Sequence, residues 1–404
     1  MENRKNIALI TTWFPPQKSV ATNRMLAFTE YLSEEFDITV FALDNATHSK
    51  QWKDGVFVQY IQSKSWVDRL KSNSTDSKLK HKIKTAIRVI LSKVTKNPLA
   101  KWQKRCVSKL TERHNKKPFD LIISSYAPQE THLAALEFVK KFPNVKWIAD
   151  MRDEMSKNPG ISTQIAKQYR EIETEINQYA TALTTVSEPI LNDFKILCPD
   201  IQHFEEFRNG FNHEFKPIER IKNEKFTLGY FGTFYGSRKA TILFKALENI
   251  ATKRADFDFE FIIVGASNNF NIPNQFKEKV KLIETMSYEE AIRKMMHMDL
   301  NIVLHPRSIN KGVFTGKLFD YISVGRPVLA CVDTDDVAAK LVLDLVAGYV
   351  AEFDDESENT IAIEKAFDDW LQNKMPQVSE ENRLSLHRKN QVYKLSELIK
   401  KITT

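Results

Sequence analysis

Apolar residues come in short blocks along this chain, each followed by a polar stretch and then by a helical repeat. Ile7–Thr12, Ile38–Leu43, Val56–Gln62, Asp120–Ser125, Val145–Ala149, Ala182–Val186 and His203–Phe207 are such blocks. Their length and their Ile, Val and Leu content predict strands. Helical spacing lies between them: a repeat from Asn23-Arg24 through Leu32, then Glu130–Lys141 and Thr163–Tyr179. Ser187-Glu188-Pro189 predicts the cap and first turn of another helix. Continuous apolar strands alternating with helices belong in parallel sheets covered on both faces.

The pattern pauses and then restarts. Arg208-Asn209-Gly210 predicts a turn, and Phe215–Asn223, polar and proline-bearing, predicts a linker. Strand Thr227–Phe231, a glycine-bearing turn, a helix to Ile250, and strand Glu260–Val264 ending at Gly265 follow. Lys281–Ile283 is a short strand, Tyr288–Met296 a helix and Leu300–Leu304 a strand. A polar loop with Gly312 and Gly316 then leads into helix Lys317–Val324, which Gly325-Arg326-Pro327 stops before strand Val328–Val332. The expected fold is α/β, two Rossmann-like domains facing each other across a cleft. Residues 1–210 form the first domain and 211–379 the second. Residues 380–404 are expected to be a helix that packs back on the first. A length of 404 residues is too great for one ordinary core.

Composition narrows the setting. Three cysteines, Cys106, Cys198 and Cys331, are widely spaced with no C-x-x-C pair, which argues against a disulfide framework or a zinc site. No apolar h-region with a cleavage site follows the opening MENRKN, and no apolar run approaches membrane-spanning length. The expectation is a cytoplasmic protein, at most peripheral to a membrane. The net charge of +7 is uneven: residues 64–117 hold 17 Lys and Arg against 3 Asp and Glu. Leu79, Ile83, Ile87, Ile90 and Val94 recur there at helical spacing among lysines. Beyond Pro98 a second stripe holds Trp102, Cys106 and Leu110. Apolar stripes with cationic flanks suit the surface of an anionic membrane. They equally suit surface helices packed on the first domain, with lysines still facing lipid. Nucleic acid ranks last, because no aromatic RNA-binding motif or helix-turn-helix pattern accompanies the charge.

Candidate chemistry sits at strand ends, where open α/β sheets bind ligands. No G-x-G-x-x-G follows the first strand, so a dinucleotide site is not expected in the first domain. The loop Phe14–Arg24 either lines a cleft or is plain surface. Asp150-Met151-Arg152-Asp153 ends a strand with two carboxylates bracketing an arginine. That is either a cluster for acceptor hydroxyls or an internal salt bridge, and the functional reading is adopted. His132 begins a helix, and a lone histidine there is more often structural than catalytic. In the second domain Gly232, Arg238, Lys239, Gly265 and Lys317 fall at strand carboxyl ends. Backbone N–H groups near Thr315, Gly316 and Lys317 have no intrahelical acceptor and can face an anion. Asp320, three residues beyond Lys317 on the same helix face, can accept from both hydroxyls of a ribose. Together these describe a nucleoside-diphosphate site; the alternative is an ordinary crossover with Asp320 in water.

With these residues assembled, the chain resembles the GT-B-fold glycosyltransferases of family 4, in particular bacterial cell-surface polysaccharide members. The likeness rests on Phe14-Pro15-Pro16 with Asn23-Arg24, Asp150-x-Arg152-Asp153, Asn209-Gly210, Gly232 with Arg238-Lys239, and Gly316-Lys317-Leu318-Phe319-Asp320-Tyr321 leading to Gly325-Arg326-Pro327. The resemblance implies a UDP- or GDP-sugar donor on the second domain and a saccharide or lipid-linked oligosaccharide acceptor on the first. It also implies retaining transfer without metal or other cofactor, in capsule, O-antigen or exopolysaccharide assembly. Gly232, Thr233, Arg238, Lys239, Gly265, Thr315, Gly316, Lys317 and Asp320 would bind the donor, with Lys239 on its diphosphate. Phe14, Asn23, Arg24 and His132 would line the acceptor side, and Asp150, Arg152, Asp153 and Lys239 would serve catalysis. Three positions depart from the family: Gly312 stands where its first glutamate falls, Thr233 where an arginine is common, and its active-site histidine has no clear match. The rival readings are a catalytically silent sugar-nucleotide-binding or scaffold subunit and a sugar-nucleotide epimerase.

Overall fold

The computed structural model describes residues 4–63, 97–219, 221–234, 240–265, 270–307 and 312–404. Arg238, Lys239 and the predicted helix through Leu79–Val94 lie outside them. The chain divides into two units, Met1–Phe207 with Val392–Thr404, and Arg208–Gln391.

In the first unit the apolar runs become β1 (Asn6–Thr11), β2 (Asp37–Asp44), β4 (Val56–Gln62), β5 (Leu121–Tyr126), β6 (Lys146–Met151), β7 (Ala182–Thr185) and β8 (His203–Glu206), with β3 (His48–Lys53) added at an edge. Their order in the sheet is β3-β4-β2-β1-β5-β6-β7-β8. Every pair is parallel except β3 with β4. β1 is buried over its whole length because it has neighbours on both sides and helices on both faces: Ile7 lies opposite Ile38 and Leu121. One face packs on α2 (Ala100–Lys116) and α3 (Glu130–Lys141) through Trp102, Cys106, Leu110 and Phe138. The other packs on α1 (Val20–Leu32) through Met25, Phe28 and Leu32, joined by Val392, Leu395 and Ile399 of the chain end. Each such side chain contributes about 1.5–3 kcal/mol through burial. α4 (Thr163–Tyr179) and α5 (Glu188–Leu197) complete the unit.

The second unit carries a six-stranded parallel sheet, ordered β11-β10-β9-β12-β13-β14. Its strands are β9 (Phe226–Phe231), β10 (Phe259–Val264), β11 (Val280–Ile283), β12 (Leu300–Leu304), β13 (Val328–Val332) and β14 (Gly348–Glu352). Its helices are α6 (Thr241–Lys253), α7 (Tyr288–Met295), α8 (Gly316–Ser323), α9 (Val337–Asp344), α10 (Glu356–Leu371) and α11 (Glu380–Ser385). α12 (Arg388–Thr403) follows and passes into the first unit at Val392. One face of the sheet is covered by an aromatic cluster that includes Phe226, Phe259, Phe261, Phe367 and Trp370. The other holds Phe319, Tyr321 and Ile322 of α8.

Several elements differ from the sequence expectation. β3 is polar and exposed for most of its length, because it is an antiparallel edge strand with no second face to bury. It joins β4 through Asp54-Gly55, where Gly55 takes φ +70°, the geometry that favours Asp-Gly hairpins. The tail is two helices rather than one. Around His387 the backbone leaves the helix to bridge Phe211: the Phe211 N–H donates to the Leu386 carbonyl at 3.3 Å and the Arg388 N–H to the Phe211 carbonyl at 3.0 Å. The first tail helix therefore belongs to the second unit. Ser187 does occupy the N-cap of α5, with Pro189 in the first turn, but its side chain makes no capping hydrogen bond. Of the two readings of the stripe Trp102, Cys106 and Leu110, the structure shows packing on the first domain: all three are buried against the first sheet.

Candidate functional site

In the second unit the sheet order reverses between β9 and β12. The chain runs from β9 outward to β10 and β11, then returns to β12 on the other side. Diverging loops at such a point leave a crevice beyond the strand carboxyl ends. Gly232 closes β9 with φ +136°, and its N–H donates to the Val264 carbonyl at 2.7 Å. Gly265 closes β10 with φ +79°. A Cβ on Gly232 would collide with the Lys317 ammonium and its neighbouring methylene, so the Lys317 side chain lies directly across this glycine. The same ammonium sits 4.8 Å from the centre of the Tyr230 ring.

Lys317 is the second residue of α8. Its N-cap, Thr315, is extended at φ −76° and ψ 132°, and the Thr315 side chain makes no capping bond. Gly316 and Lys317 form the first turn of the helix, whose N–H groups carry the positive end of the helix dipole. One turn on, the half-buried Asp320 carboxylate accepts from the Tyr288 hydroxyl at 2.7 Å. Burial pushes its pKa up to about 6, against the opposing pull of the Tyr288 hydroxyl and the Arg388 charge. Its second oxygen, Oδ2, accepts from no described residue. Gly232, Gly265, Thr315, Gly316, Lys317 and Asp320 are all half-buried, and Thr233 is exposed. Gly312 takes φ +86° and donates its N–H to Asp336 Oδ1 at 2.7 Å, so this backbone position disfavours the glutamate expected there.

The first unit has its own reversal between β1 and β5, and side chains gather there on one backbone atom. The Ala127 carbonyl accepts from Trp13 Nε1 at 2.9 Å and from Arg152 Nη2 at 3.1 Å. Asp153 stands beside Arg152 at the surface. Its surroundings desolvate it and, with the Asp150 charge, hold its carboxyl above the usual range despite the Arg152 charge. The loop beyond is anchored by Glu173, which accepts from the Ser156 N–H at 2.9 Å and the Ser156 hydroxyl at 2.5 Å.

The structure corrects where four expected acceptor or catalytic side chains lie. Arg24 and Asp150 meet each other at 2.7 Å in the interior, 3% and 0% exposed. Burial would raise the Asp150 carboxyl. The Arg24 guanidinium and the hydroxyls of Ser125 and Thr184 outweigh that and hold it below the usual range. Arg24 also donates to the Phe207 carbonyl at 2.8 Å. His132 is closed in, with Nδ1 2.7 Å from Ser124 Oγ and Nε2 3.2 Å from the Met151 sulfur. Burial pulls its pKa down to about 3, so it stays neutral. Phe14 is buried against Trp52 and Tyr60. These four side chains shape the loops that carry exposed groups and do not face a ligand themselves. Asn23 is exposed on α1.

No family model matches the sequence, and no curated protein matches it. Solved structures do. A sucrose-phosphate synthase from Thermosynechococcus elongatus is 14% identical over 99% of this chain and 99% of its own, at a TM-score of 0.63. The lipopolysaccharide outer core galactosyltransferase WaaB is 13% identical over 98% of this chain and 99% of its own, at 0.60. A trehalose-6-phosphate structure from E. coli, bound with UDP-2-fluoro glucose, is 10% identical over 99% of each chain, at 0.58. The chain has the GT-B fold.

Two residues stand out within that fold that sequence pattern did not single out. Trp13, 37% exposed, presents an indole at the first switch point, where its signal was only an aromatic ahead of Pro15-Pro16. Tyr288 looked like the start of an amphipathic helix, and its approach to Asp320 depends on the pairing of distant strands. Among the described residues, no group of three or more His, Cys, Asp or Glu is placed to hold a metal ion.

Proposed function

We propose that this protein is a glycosyltransferase that moves a sugar from a nucleoside-diphosphate sugar to a hydroxyl of a saccharide acceptor, with retention of anomeric configuration. One observation carries the reading: the Lys317 ammonium lies over Gly232 at the switch point of the second sheet, at the start of the helix that bears Asp320. A diphosphate there meets a cation and a helix N-terminus, while Asp320 accepts from the ribose diol. The missing side chain at Gly232 lets the donor's phosphates approach the backbone. Arg238 and Lys239 add two cations in sequence next to this strand end.

In the proposed reaction the bond from the anomeric carbon to the diphosphate oxygen breaks while the bond to the acceptor oxygen forms on the same face. The acceptor proton passes to the departing diphosphate oxygen, so no protein nucleophile is required. Lys317 and the helix N–H groups stabilise the charge that grows on the leaving group, the kind of contribution worth about 3 kcal/mol per donor. On the first unit Trp13, Arg152 and Asp153 receive the acceptor: the indole offers an apolar face to a sugar ring, and the charged pair offers donors and an acceptor to its hydroxyls. The fold likeness to a structure holding a UDP-sugar supports a UDP donor, with GDP the alternative, and the likeness to a galactosyltransferase of lipopolysaccharide supports a cell-surface saccharide acceptor.

The acceptor is proposed to be lipid-linked, with the enzyme peripheral at the inner membrane face through residues 64–117. Lys101 and Lys104 are exposed on α2, so its contribution is electrostatic. No described helix is long and apolar enough to cross a membrane. Anionic vesicles should retain the protein at low salt and release it at high salt.

The deciding test is incubation with a panel of UDP- and GDP-sugars, followed by mass analysis of released nucleotide and product. Consumption of one donor, accelerated by a saccharide acceptor, is expected; no consumption of any donor refutes the proposal. A second reading, donor binding without turnover, draws on Gly312 in place of the family glutamate, and binding without consumption would select it.

A further inference from the structure

Tyr288 is 52% exposed, yet its hydroxyl is committed to a carboxylate. Its place is fixed by the start of α7. Ser287 accepts from the Glu290 N–H at 3.3 Å, and the Glu290 carboxylate accepts from the Ser287 N–H at 2.9 Å and its hydroxyl at 2.7 Å. This closed capping box holds the first helical residue in one orientation. The tyrosine ring has His213 on one side, ring centres 6.4 Å apart. The groups around the pair are Arg388, whose charge faces both Tyr288 and Asp320, Tyr321 beside Asp320 on α8, and His213.

We infer that Tyr288 is a positioning residue for the donor's ribose: its hydroxyl on Oδ1 fixes the Asp320 carboxylate in its charged form and leaves Oδ2 open to the diol. The inference rests on the donor-site reading above. A carboxylate has about four acceptor positions, so one phenol and two ribose hydroxyls fit together. The need for such a partner follows from burial, which works against the charge on Asp320. A protonated carboxyl would have to donate where the diol also donates. Tyr288 supplies the hydrogen bond that favours the ionised form before any nucleotide arrives.

The test is calorimetric titration of the full chain with UDP and GDP from pH 5.5 to 8.5, for wild type, Tyr288→Phe and Asp320→Asn. Wild type should bind one nucleotide with affinity that is level at high pH and falls about tenfold per unit below about pH 6. Tyr288→Phe should move that midpoint up by about one unit. Its affinity should then be about fivefold lower at pH 6 and within about twofold of wild type at pH 8.5. Asp320→Asn should weaken binding and remove the pH step. Circular dichroism melts verify that each variant is folded. A Tyr288→Phe profile with the wild-type midpoint overturns the inference, as does an equal loss at pH 6 and 8.5. If wild type binds neither nucleotide at pH 8.5, the donor site itself is wrong and this inference falls with it.

Discussion

Single residues in this chain derive their meaning from what lies across from them. Gly232 is the clearest case. Its φ of +136° strains any residue with a Cβ, and the space a methyl would fill is taken by the end of Lys317. Gly232→Ala should therefore cost about 1–3 kcal/mol in stability and, by moving the ammonium, weaken nucleotide binding by about tenfold or more. Thermal melts and titration calorimetry measure the two effects separately; unchanged nucleotide affinity would remove Lys317 from the site. Histidines give a pH dependence of known sign. Burial lowers His132 to about 3 and His213 to about 4, both below the unfolded value of 6.5. The unfolded chain thus takes up protons the folded chain refuses. Their contribution is complete above pH 6.5 and falls by up to about 1.4 kcal/mol per histidine per unit below it. Melting temperature should drop steadily from pH 6.5 to 5, and His132→Gln should flatten that slope.

Between elements, long-range pairs decide geometry that local pattern does not encode. Arg24 on α1 and Asp150 on β6 are 126 positions apart, and each motif alone looked like a ligand group. They are a buried ion pair that also ties down the Phe207 carbonyl. Arg24→Ala should cost about 3–5 kcal/mol, because it leaves an uncompensated carboxylate inside the protein. Chemical denaturation measures it; a cost below about 1 kcal/mol would mean that water reaches Asp150. The parallel strands were legible because apolar runs buried on both faces announce themselves. β3 was not, since an exposed edge strand carries no apolar alternation, and its Asp54-Gly55 turn was the available cue. The break at His387 was hidden for another reason: its backbone partner, Phe211, is remote in sequence. The sequence puts Gly232 and Lys317 near strand carboxyl ends, but their meeting depends on β9 pairing with β12, which no local pattern encodes.

At the scale of the whole molecule, two sheets each reverse their strand order once, and each reversal gathers a different chemistry. The second unit gathers a cation, a helix N-terminus and a half-buried carboxylate. The first gathers an indole and an arginine on one carbonyl, with the exposed Asp153 next to the arginine in the chain. In the proposed reaction this is a division of labour, with the donor on the second unit and the acceptor on the first. It is tested most directly by titrating the wild-type chain with UDP and GDP at pH 8.5 in a calorimeter, beside the Gly232→Ala chain. One saturable site for one of the two nucleotides is expected, with affinity reduced by about tenfold or more in the variant. No heat from either nucleotide, or equal binding by both proteins, would contradict it.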